Sequence, residues 1–155
     1  MIRHPIAARQ VVAFAALAAA LVLSNSSAVA QQRLGNLSTN PYDSRSIANP
    51  YGAGSPYHSD GINNPYSRFG SPYSNFSASN PFATQAPRLY DQHGNFRGRL
   101  STNPYDPDSI SNPYGRFGSP YSADSMNNPF GAGSPYRADS PTNPFGTGWR
   151  IIGDD

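Results

Sequence analysis

The chain has no cysteine. It also has no lysine and no glutamate, and its four valines all precede residue 30. Each absence excludes something. Without cysteine there is no disulfide, no thiolate nucleophile or metal ligand, and no acylated-cysteine lipoprotein anchor. Without lysine and glutamate, charge rests on arginine and aspartate. Beyond residue 30, nine Arg face nine Asp, so that part is nearly neutral although the whole chain carries +2. A clustered positive surface, on which nucleic-acid binding leans, is missing. The nearest approach to one is Arg88, Arg97 and Arg99, with Asp91 among them. Aliphatic residues are equally scarce. Residues 31–155 hold ten Leu, Ile and Met in total, and seven Phe. Burial of aliphatic groups alone cannot offset a chain entropy of roughly 1–2 kcal/mol per ordered residue. Any core must draw on aromatic rings, which leaves the chain between a turn-rich aromatic mini-fold and partial disorder.

One long apolar run exists, the thirteen residues 11–23. Arg3 and Arg9 precede it and Ala28-Val29-Ala30 follows it. This is the layout of a secretory signal helix cleaved after Ala30. Thirteen residues fall short of the about twenty needed to span a bilayer. The expectation is therefore a signal peptide at 1–30, a mature chain without a transmembrane segment, and a periplasmic or extracellular location.

What the sequence has in abundance is one tripeptide. Asn or Ser, then Pro, then Tyr or Phe, occurs twelve times and takes twelve of the eighteen Tyr and Phe residues. Asn before Pro, with Gly following the ring, suits a reverse turn: Asn at its first position, Pro at its second, Gly at its fourth. Units of 15–16 residues separate Asn49, Asn64 and Asn80, and again Asn112, Asn128 and Asn143. These units build two long copies, 37–84 and 100–147, aligned at an offset of 63 that shifts by one and returns. Asp108 to Ser111 reads as a single helical turn capped by the Asp side chain.

The texture changes between the copies. Arg88-Leu89-Tyr90-Asp91, a bend at 92–95 and Phe96-Arg97-Gly98-Arg99-Leu100-Ser101 read as a β-hairpin over 88–101. The second strand has an echo at 33–38 and the first at 149–152. The expected fold is thus a mostly irregular, turn-rich repeat protein with four short strands meeting in one small sheet. Its single domain, 31–155, divides into copy one at 37–84, a connector at 85–99, copy two at 100–148 and a last strand at 149–155.

The run from Gly98 to Tyr121, Gly-Arg-Leu-Ser-Thr-Asn-Pro-Tyr-Asp-Pro-Asp-Ser-Ile-Ser-Asn-Pro-Tyr-Gly-Arg-Phe-Gly-Ser-Pro-Tyr, resembles a group of short exported bacterial proteins that carry this repeat. The likeness covers about residues 34–152. Copy one departs from it, with Ser44-Arg45 where copy two has Pro107-Asp108. The resemblance implies export and a repeat architecture, and it implies no activity and no catalytic residue.

Catalytic chemistry is thinly provisioned. His58 and His93 lie 35 residues apart at non-equivalent places in the copies. General acid–base work needs a buried, perturbed group, and this chain can bury little. The expectation is a protein that is not an enzyme and needs no cofactor. Asp106 and Asp108 are weak metal candidates, and the alternative function is a calcium-binding module whose Asp- and Asn-rich turns order on the ion. Calcium wants six to eight oxygens, and the loop departs from the EF-hand pattern at Ile110 and lacks a closing Glu. Asp as a turn cap is the favoured role there. What remains is an interaction surface. Rings on turns stack on flat partners such as the sugars of a cell-wall glycan or another envelope polymer, and repetition adds avidity. Tyr51, Tyr114, Phe130 and Phe145 are the candidate contact residues. About half of the tripeptide rings are expected inside, for want of other core material.

Overall fold

The computed structural model describes residues 31–154. The signal helix expected at 1–30 lies outside the described residues. Four strands form where sequence texture places them: β1 (Gln31–Leu37), β2 (Arg88–Tyr90), β3 (Phe96–Arg99) and β4 (Trp149–Asp154). They make one antiparallel sheet in the order β1-β4-β2-β3. The two strands that lead into the copies, β1 and β3, are the edges. The two that leave them, β2 and β4, are the centre, with Leu89 opposite Ile151. Among the described residues there is no helix, and none therefore is long and apolar enough to cross a membrane.

Burial alternates along β4 and β2, so one sheet face is covered and the other is half-exposed. The covered face joins Leu34, Leu89, Trp149 and Ile151 to Ile62, Phe69, Ala78 and Ala132 of the copies. Leu89 and Ile151 are 0% exposed. On the other face stand Arg88 and Arg150; Arg88 pairs with Asp154, and Arg150 donates to the Asp91 carbonyl. The β2–β3 bend is held by the Asp91 carboxylate. It accepts the N–H groups of His93 and Asn95, both at 2.9 Å, and the Arg97 guanidinium.

Each copy is a ribbon of reverse turns that share their corners. In copy one the N–H of Ser46 donates to Asp43 O (3.1 Å), Asn49 to Ser46 O (3.1 Å), Gly52 to Asn49 O (3.2 Å) and Ser55 to Gly52 O (3.0 Å). In copy two the same steps run through Asp106, Ser109, Asn112 and Gly115. The helical turn expected at 108–111 is absent. Asp106 Oδ1 accepts the Asp108 N–H at 2.9 Å, making Asp106 rather than Asp108 the cap, and Pro113 leaves no N–H to extend a helix beyond Asn112. Each ribbon contains one four-residue step, Ser67 to Ser71 in copy one and Gly115 to Ser119 in copy two. The extra residue accounts for the shift of offset between the copies. It also delivers a phenylalanine to the interior, for Phe69 and Phe117 are both buried.

The edges of the sheet are closed by the ribbons themselves. Asn36 of β1 donates to Arg45 O (2.6 Å) and accepts from the Ile47 N–H (3.0 Å). Sixty-three residues later Arg99 of β3 donates to Asp108 O (2.7 Å) and accepts from the Ile110 N–H (3.1 Å). Strand edges that would otherwise recruit other chains are thereby occupied. The close pass needs glycine. Gly35 and Gly98 have φ of 122° and 94°, and a Cβ on either would lie 2.7–2.8 Å from ribbon atoms.

Candidate aromatic display surface

The corner residues explain the tripeptide. In Asn-Pro-aromatic, the Asn Oδ1 accepts the N–H of the ring residue two places on. Tyr51 donates to Asn49, Tyr114 to Asn112, Phe130 to Asn128 and Phe145 to Asn143, all at 2.9–3.0 Å. The same Asn spends its amide N–H on a carbonyl six residues back. Asn49, Asn112, Asn128 and Asn143 reach Asp43, Asp106, Ser122 and Arg137 at 2.9–3.2 Å. One side chain thus closes its own turn and ties it to the turn two steps earlier. The Ser of Ser-Pro-Tyr makes the first of these bonds, as in the Ser55 Oγ bond to the Tyr57 N–H. Buried corner serines such as Ser46, Ser109 and Ser125 keep their hydroxyls bonded to the same N–H two places on.

Inward corners leave the ring residue at the outer apex of its turn. All twelve tripeptide rings are exposed, between 85% and 96%. Half of them were expected inside, and none is. The core instead takes rings from outside the tripeptides: Trp149, Phe69 and Phe117 are buried, and Phe76 packs against the cluster. Pro fixes the backbone just before each tripeptide ring and the turn then points it away, so sequence abundance of aromatics did not translate into burial. The four rings singled out, Tyr51, Tyr114, Phe130 and Phe145, have exposures of 96%, 95%, 96% and 86%.

Asp106 and Asp108 sit at one turn of the second ribbon, and the described residues contain no group of three His or Asp side chains placed to share a metal ion. His58 and His93 fall on different elements, in the first ribbon and the β2–β3 bend. Two clefts lie where a ribbon crosses its edge strand. One, of about 470 Å³, is lined by β1 and copy one and has Tyr51 on its rim; the other, of about 380 Å³, is lined by β3 and copy two. Sequence reasoning missed both, because each forms between segments 10–30 residues apart. Compared with known proteins, the chain matches no family model, no curated protein and no solved structure.

Proposed function

We propose that this protein is a non-catalytic structural or binding component of the bacterial envelope or cell surface. It is exported through a signal peptide at 1–30, and its two ribbons are the halves of a tandem duplication. It displays aromatic rings to a polymeric partner, of which a cell-wall glycan is the best match in chemistry. The observation that carries this reading is the 85–96% exposure of all twelve tripeptide rings. A single exposed apolar side chain is ordinary, but a repeated array of them marks an interaction surface. Flat, partly polar Tyr rings suit sugar faces, and many weak sites on one polymer multiply their effect.

The test is binding to insoluble envelope polysaccharide while Tyr51, Tyr114, Phe130 and Phe145 are changed to Ser one after another. Retention should fall stepwise and respond little to salt, since residues 31–155 are nearly neutral. Loss of all binding with one substitution would mean a single pocket and would end the multivalent reading. Export has its own test. Mass spectrometry of the protein recovered outside the cytoplasm should give an N-terminus at Gln31, and an intact Met1 on cytosolic protein would end that reading.

A further inference from the structure

The two clefts differ in a way that points to a ligand. In copy two the four-residue step falls in the first unit and brings Arg116 and Phe117 to the crossing with β3. Phe117 meets Phe96 edge to face, with ring centroids 5.3 Å apart. The charges are neutralised too: Arg97 and Arg116 both bond the Asp124 carboxylate, at 2.9 and 2.7 Å. In copy one the four-residue step comes a unit later, at Arg68-Phe69, and the ring goes to the main core. The crossing with β1 keeps only Ala53. Its Cβ faces Gly35 as the Phe117 Cβ faces Gly98. The space that Phe117 takes in copy two is therefore left open in copy one.

The side chains around that opening are polar and only partly engaged. Leu34, Gly35, Gly52 and Ala53 form an apolar floor, with Tyr51 at the rim. Above it stand Arg33, Arg45, His58 and Asp60. Arg33 donates to the neutral Asn36 Oδ1 rather than to a carboxylate. Arg45 pairs through Nε with Asp43 at 3.5 Å, and its side chain is 59% exposed. Asp60 accepts Gln32 Nε2 through one oxygen, leaving the other for a donor. Burial, with Arg45 and Arg150 nearby, holds the Arg33 guanidinium below its ordinary pKa, against the opposing pull of Asp43.

We infer that the cleft between β1 and the first ribbon binds one sugar ring carrying a carboxylate, a uronic-acid unit. The ring lies on the apolar floor against Tyr51, the carboxylate meets the forks of Arg45 and Arg33, and Asp60 accepts a ring hydroxyl. Planar carboxylates match guanidinium forks, and a cleft of this size holds one such unit. The site stands apart from the multivalent ring display, sharing only Tyr51, and a monomeric ligand tests it without avidity.

The experiment is an amide-proton NMR titration of the isotope-labelled protein with glucuronate, and separately with uncharged glucose. Glucuronate should shift Gln32, Arg33, Gly35, Arg45, Ala53 and Asp60, and glucose should bind about tenfold more weakly or worse. Arg45→Gln should weaken glucuronate by about the same factor, while Arg116→Gln in copy two should change nothing. Ala53→Phe, which gives copy one the ring that copy two has, should abolish the shifts while the spectrum stays dispersed. If Ala53→Phe fails to fold, Arg45→Gln decides. Equal binding of glucose would overturn the carboxylate assignment. Shifts spread over the exposed rings, or none at millimolar glucuronate, would overturn the cleft as a binding site. A polymer-only response would overturn it equally and leave the display reading standing.

Discussion

At the scale of single residues, the chain is organised by corner asparagines that close one turn and tie it to another. Asn112 accepts the Tyr114 N–H and donates to the Asp106 carbonyl. Replacing it by Asp keeps the acceptor, removes the donor and sets a carboxylate against a carbonyl oxygen. Asn112→Asp should therefore cost about 1–3 kcal/mol in denaturant unfolding. Asn103, whose side chain only accepts the Tyr105 N–H, should tolerate Ser at well under that cost. The rings behave oppositely. Tyr114 is 95% exposed, so Tyr114→Ser should leave stability within about 0.5 kcal/mol of the parent. A stability loss of several kcal/mol on removing the four display rings would place them in a core after all. The tripeptide was legible as a turn from its residue types. The outward aim of its ring was not, because the side on which corners gather depends on where the ribbon packs.

The edge strands and the hairpin bend are the elements whose geometry leaves least room for change. Gly98 at φ 94° would place a Cβ 2.7 Å from Phe117 and from the Asp108 carbonyl. Gly98→Ala should destabilise by more than the about 1 kcal/mol of an ordinary Gly exchange, with Gly35→Ala as its counterpart in copy one. The bend depends on Asp91. Burial pushes its carboxyl up, but the Asn95 N–H, the Asn95 side chain and the Arg97 guanidinium together outweigh burial and hold it below the usual carboxylate range. A depressed folded pKa means that the stabilisation is present above the unfolded value of about 3.9 and is lost as pH falls through the folded one. Thermal stability should thus hold steady from neutral pH downward and drop below about pH 4. Asp91→Asn should lower stability at neutral pH and flatten this acid limb; an unchanged acid limb would show that other carboxylates control it.

For the whole molecule, two turn-rich ribbons with few aliphatics hang on one four-stranded sheet. The central pair Leu89 and Ile151 comes from segments more than 60 residues apart and is fully buried. Ile151→Ala should cost about 2–5 kcal/mol, enough to abolish a cooperative melt in a chain of this kind. Retention of a sharp transition in that variant would mean that each ribbon orders on its own.

The strands at both ends of each copy, the hairpin and the turns could all be read from local chemistry. Pro, Gly and Asn restrict the backbone within a few residues, and the echoes of Leu34, Leu89, Leu100 and Ile151 mark where aliphatics gather. Strand order was decided only by the tertiary structure, because pairing β1 with β4 joins residues over 110 apart. So was the division of the aromatics. A ring after Pro at an apex faces water, whereas one supplied by a four-residue step, Phe69 or Phe117, drops into the interior. The sequence determined where the chain turns; the packing of ribbon on sheet decided which rings those turns bury and which cleft they leave open.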